Sequence, residues 1–193
     1  QYASTQDELL TLKIIKKLIK KAIDLGAEFI ALPECATSLH ENSTITKELA
    51  KPELKNYSLQ TLMALAKNNA VYILIGSLPI KLENKITNRS FLIGPDGKVL
   101  YKYDKIHLYD VNLPNGDIYR ESDTYSSGNI AVVGQIKENK FKIGMTICYD
   151  LRFPNLYQDL AKNGAEIITV PSAFSNVTGP VSYTHLRAHE TSR

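Results

Sequence analysis

The stretch from Phe141 to Gly164 leaves the chain few choices. Residues 141–147 (FKIGMTI) are short, apolar and carry β-branched side chains, the pattern of a buried strand. Residues 155–163 (NLYQDLAKN) have a helical composition, and Gly164 stands where a helix stops. Cys148 therefore falls where a strand turns toward a helix. Such a place suits a nucleophile: the strand fixes it, the turn exposes the sulfur, and nearby N–H groups can face a developing oxyanion. A free cysteine is more often a small buried hydrophobe, so Cys148 alone is only a candidate.

Two more strand ends carry chemistry. Residues 27–34 (AEFIALPE) read as a buried strand ended by Pro33, with Glu34 at its tip. Lys105 follows a strand over 98–103. A carboxylate, an amine and a thiol thus stand at three strand tips, in the order Glu34, Lys105, Cys148. With LPE at 32–34, DKIHLYD at 104–110 and CYDLRFP at 148–154, the chain resembles the nitrilase superfamily of carbon–nitrogen hydrolases over about residues 18–179. Arg120-Glu121-Ser122 resembles the family segment that carries a second active-site glutamate. PSAF at 171–174 and TGP at 178–180 look most like the amidase branch, whose members hydrolyse ω-amides of dicarboxylic acids or deaminated glutathione.

The resemblance implies a four-layer α-β-β-α sandwich, incomplete here at both ends; periodicity alone gives only a mixed α/β chain. It implies hydrolysis of a small linear amide to acid and ammonia through a cysteine thioester, with no cofactor. Glu34 would be the base, Lys105 the oxyanion partner and Cys148 the nucleophile. Glu121 would orient Lys105 or the substrate. Tyr149 would lend its backbone N–H and wall the pocket, and Arg152 is a candidate for a substrate carboxylate. Asp150 and Arg152 read as a local ion pair shaping the turn. Nitrilase and carbamoylase chemistry share the triad, and a non-catalytic fragment of the fold is a further alternative. The resemblance also implies a homodimer when full length.

The residue types fit that chemistry. Amides are poor electrophiles, and a cysteine is weakly ionised at neutral pH, with a reference pKa near ~8.5. A cysteine hydrolase therefore needs a proton acceptor, an oxyanion donor and a proton source for the leaving nitrogen.

Length sets one domain, and an apolar fraction of 44% with 22% charged residues is that of an ordinary globular chain. No apolar run approaches the ~18–20 residues of a membrane span, and the start has no secretory leader pattern. Two cysteines argue against a disulfide scaffold and for the cytoplasm. A net charge of +3, scattered, gives no nucleic-acid footprint. His40 and His107 have no ligand cluster around them, so no metal is expected; His185 and His189 fall in the tail. The domain is expected over 1–180, partial, because relatives open with a strand before the first helix. Residues 181–193 (VSYTHLRAHETSR) read as a non-native tail.

Along the chain, helices are expected over 7–25, near 46–50 and over 58–68. Strands are expected over 29–32, 72–77, 86–93, 99–103, 130–133 and 167–170, with turns at 81–85, 94–97 and near 138–139. Residues 109–129 read as a long connection without sustained period, of the kind that is often functional. Lys13, Lys16, Lys17, Lys20 and Lys21 line one face of the first helix. That face reads as a solvated surface rather than a membrane contact.

Overall fold

The structure is a computed structural model, described here over residues 2–40, 42–113, 116–137 and 140–174. The segment 178–180, the turn near 138–139 and the tail 181–193 lie outside the described residues. Helix α1 (Glu8–Asp24) begins at Asp7, whose side chain accepts from the Leu10 N–H at 3.0 Å. Its apolar stripe buries Leu12, Ile15 and Ile19, and its five lysines are exposed. Helix α3 (Tyr57–Asn69) is capped in the same way by Asn56 and ends at Ala70 in the left-handed conformation. A shorter helix, α2 (Ser43–Leu49), precedes it.

The first sheet has the order β1 (Phe29–Ala31), β2 (Tyr72–Lys81), β3 (Ile86–Ile93), β4 (Val99–Asp104). The β1–β2 pair is parallel and the others are antiparallel. A second sheet runs β7 (Val132–Ile136), β8 (Phe141–Met145), β9 (Ile167–Thr169), with α4 (Pro154–Lys162) between its last two strands. Pro154 opens α4, where a missing N–H costs nothing.

The period of two along the strands sorts the core into two clusters. Ile73 and Ile75 of β2 and Phe91 and Ile93 of β3 face α1 and α3, packing with Ile15, Ile19, Leu59 and Leu62. The alternate residues, Leu74, Leu92 and Tyr103, face the other way and meet Ile136, Ile143 and Met145 of the second sheet. On the far side of β8, Leu160 of α4 lies over Gly144.

Three expectations need correction. Strand β2 does not stop at Ser77; it bulges between Ile75 and Leu78 and continues to Lys81, where Pro79 pairs with Asn88. The bulge supplies the extra residue that lets a strand pass a proline. Residues 109–129 are not structureless: β5 (Asp110–Asn112) and β6 (Ile118–Arg120) form a hairpin, followed by a 3₁₀ turn over Glu121–Asp123. Strands of three residues leave no period to read. The strand expected at 130–133 is shifted to 132–136, leaving Ile130 exposed.

The bulge has a further use. A Cβ at Gly76 would overlap the carbonyl oxygens of Leu32 and Pro33, so only glycine lets the chain after β1 cross β2 this closely. Gly76→Ala is expected to lower the unfolding free energy by about 3 kcal/mol, read by chemical denaturation. A variant as stable as the parent would show that this crossing can relax.

Candidate active site

Each expected residue is placed by a different device. After β1, the Leu32 N–H still donates to the Leu74 carbonyl at 2.8 Å. The chain then turns through Glu34 and Cys35, the latter at φ +48. Ser77, in the β2 bulge, holds that turn: its hydroxyl accepts from the Cys35 N–H at 2.8 Å and its carbonyl from the Ala36 N–H at 2.9 Å. Lys105 follows β4; its N–H donates to the Asn88 carbonyl at 3.0 Å and its carbonyl accepts from the Gly128 N–H at 2.8 Å. Glu121 opens the 3₁₀ turn after β6.

Cys148 stands at φ +47, where side chains other than glycine are uncommon. It opens a 3₁₀ turn, Cys148–Arg152, and its N–H donates to the Pro171 carbonyl at 2.9 Å. Asp150, fully buried, rivets this turn. One oxygen accepts from the Tyr103 hydroxyl at 2.7 Å and the Ile147 N–H at 2.9 Å. The other lies 2.8 Å from His107 Nδ1 and accepts the His107 N–H at 3.0 Å. The side-chain partner of Asp150 across the turn is thus His107 rather than the expected Arg152.

The structure gathers Glu34, Lys105, Cys148 and Glu121 at one place. Lys105, 2% exposed, donates from Nζ to Glu34 Oε1 at 2.9 Å and to Glu121 Oε2 at 2.9 Å and Oε1 at 3.2 Å. Glu34, 6% exposed, accepts the Ala173 N–H on its other oxygen at 3.0 Å, and its charge acts on the neighbouring Cys148 thiol. Glu121 Oε2 also accepts the Tyr109 N–H at 2.6 Å.

The charges follow from this packing. Burial works against the Lys105 ammonium, but the adjacent Glu34 and Glu121 carboxylates outweigh it, so its pKa lies above the ordinary lysine value. Burial, and then the Glu34 charge, push the Cys148 thiol up; Lys105 opposes them without prevailing. The resting sulfur is therefore a thiol, and the group placed to take its proton is Glu34. Cys35 is pushed up by the same two causes, burial first.

Tyr149 presents its ring edge-on to Tyr109 and Phe153, with centroids 5.1 and 5.5 Å away. Phe153 in turn stacks on His107 at 3.6 Å. Among the described residues no acceptor takes the Tyr149 N–H. Arg152 is exposed on the same turn. Among the described residues no three His, Cys, Asp or Glu side chains gather as a metal ion would need. No described helix is long and apolar enough to cross a membrane.

Sequence reasoning missed three participants. Asn88 donates to both carboxylates, the Ala173 N–H holds Glu34, and Tyr125 lies against the site. Burial, and then the charges of Cys35, Glu121 and Glu34, push the Tyr125 hydroxyl well up. An asparagine within an alternating strand, a backbone amide and a tyrosine in a loop carry no spacing signal.

A carbon–nitrogen hydrolase family profile matches residues 1–192. The ω-amidase NIT2 of Xenopus tropicalis is 36% identical over 167 residues, which are 86% of this chain and 59% of that protein. The NitFhit protein of C. elegans superposes with a TM-score of 0.84 at 28% identity, over 96% of this chain and 46% of that one. Nit3 of Saccharomyces cerevisiae, a member of branch 10 of the nitrilase superfamily, superposes with a TM-score of 0.79 at 30% identity, over 94% and 65%. The chain spans somewhat over half the length of the curated relatives it matches.

Because the native pKa of Lys105 is raised, its stabilising contribution is complete below the ordinary lysine value of ~10.4 and fades only as pH climbs through the higher native value. Lys105→Met instead leaves two buried carboxylates without their cation. At pH 7.5 it is expected to cost about 3–5 kcal/mol of unfolding free energy. Denaturant melts check this; a variant as stable as the parent would count against the charge account.

Proposed function

The chain belongs to the carbon–nitrogen hydrolase family, and on that footing we propose that it acts as a cysteine-dependent amidase of the ω-amidase kind, cleaving a small linear amide to acid and ammonia. The observation that carries this reading is the buried Glu34 carboxylate, which holds the Lys105 ammonium and lies close enough to the Cys148 thiol for its charge to act on it.

Glu34 takes the thiol proton as Cys148 Sγ attacks the carbonyl carbon. An ammonium has three N–H donors. One N–H of Lys105 goes to Glu34 and one is shared between the two Glu121 oxygens, and the third serves the oxyanion together with the Tyr149 N–H. The proton held on Glu34 then passes to the leaving nitrogen, ammonia departs, and the acyl group remains on Cys148 as a thioester. Glu34 next takes a proton from water as its oxygen attacks the thioester. The acid leaves, and the thiol recovers its proton from Glu34. Glu121 fixes the ammonium, and Arg152, exposed on the turn that carries Cys148, is our candidate for the far carboxylate of an ω-amide.

The amide reading is preferred to nitrilase or carbamoylase chemistry because relatives at 36 to 37% identity are ω-amidases. We also read the architecture as a four-layer α-β-β-α sandwich. Its support is the pair of core clusters on opposite faces of the first sheet, with α4 over the second.

Ammonia release from α-ketoglutaramate, deaminated glutathione and a simple nitrile should favour one of the two amides. Cys148→Ala should reduce that release at least about a thousandfold while the protein still unfolds cooperatively. A folded parent that releases no ammonia, or an active Cys148→Ala variant, would overturn the assignment.

A further inference from the structure

Asn88 stands in β3, four residues before Leu92 and on the same face, so the strand aims its side chain between the two sheets. It is 2% exposed. Its Nδ2 donates to Glu34 Oε1 at 3.2 Å and to Glu121 Oε1 at 3.0 Å. Lys105 Nζ donates to the same two oxygens, at 2.9 and 3.2 Å. Two donors and two acceptors thus alternate around a closed ring. Both partners of the amide are carboxylates, which only accept, so its nitrogen must face them.

The opposite end of the same amide is left bare: Asn88 Oδ1 is buried, and among the described residues no group donates to it. A buried acceptor without a partner is costly, and folded proteins rarely keep one. Asparagine therefore looks poorly chosen for packing alone and well chosen for its two N–H donors.

We propose that Asn88 is a positioning residue for the amidase reaction. It locks Glu34 Oε1 into the ring, which fixes the orientation of the carboxylate that acts as the base. It also shares in holding two ionised carboxylates beside a single ammonium, where one cation cannot neutralise both. Hydrogen bonds to an ionised carboxyl favour that form. Without Asn88 the two carboxylates are held by Lys105 alone, and Glu34 loses the contact that fixes its orientation. Asn88 touches no reacting atom. It acts through Glu34 and Glu121, and the inference rests on the roles given to those residues above.

The test compares the parent with Asn88→Leu, which keeps the branched side-chain shape and removes both donors. Cooperative unfolding is checked first. For ammonia release kcat should fall about tenfold or more, with KM changed less than about threefold. The rate of iodoacetamide alkylation at Cys148, followed by peptide mass spectrometry, needs no substrate and should fall as well. Asn88→Ser keeps one shorter donor. It should lose less of both rates, and it decides the matter if the leucine variant does not fold. A folded variant alkylated at the parent's rate overturns the role of Asn88, even if the parent is a good amidase. A parent that releases no ammonia while alkylation still slows in the variant overturns the amide assignment and leaves Asn88 holding the base.

Discussion

A buried ammonium sets the terms for this molecule. Lys105 lies among side chains from several segments, and its charge is tolerable only because Glu34 and Glu121 both reach it. Each carboxylate must then be delivered from far away in the chain. Glu34 comes from the end of β1, carried over the β2 bulge at Gly76 and Ser77. Glu121 comes from the end of a small hairpin, tied back by the Tyr109 N–H. Gly128 closes over the Lys105 carbonyl, at a place where a Cβ would overlap the Asp104 backbone. Irregular features of the fold, the bulge, the short hairpin and the loop that follows, bring these charges together.

The thiol is delivered differently. Cys148 is held at positive φ by its neighbours, not by its own preference. The Pro171 carbonyl takes its N–H, and Asp150 fastens the turn to Tyr103 at the end of β4 and to His107 beyond it. Tyr103 and His107 flank Lys105 by two residues on either side. The same carboxylate that shapes the Cys148 turn therefore also fixes the segment carrying the ammonium, which couples the positions of the two groups.

Much of this was legible in the sequence, for a physical reason. Glu34, Lys105, Cys148 and Glu121 are chemically conspicuous, and three of them follow apolar runs whose period marks strands. The layered packing follows from the same runs, since Ile73 and Ile75 face one way and Leu74 the other. What stayed hidden depends on tertiary pairing. Asn88 looks like any polar residue on an alternating strand until the strand is placed against Glu34. The partner of Asp150 is His107, 43 positions away, where proximity in sequence suggested Arg152. The hairpin at residues 110–120 is too short to show a period, and its pairing is visible only in three dimensions.

The hydrogen bond from the Ala173 N–H to Glu34 joins residues 139 positions apart. On a ribosome adding ~5–20 residues each second, Glu34 waits many seconds for that partner to emerge. Contacts of such separation come late, because closing long loops costs entropy before any contact rewards it. Until then Glu34 is not held in its place beside the thiol. The geometry of the site is thus tied to the completion of the fold: a half-made or locally opened chain carries every chemical group of the site without their arrangement.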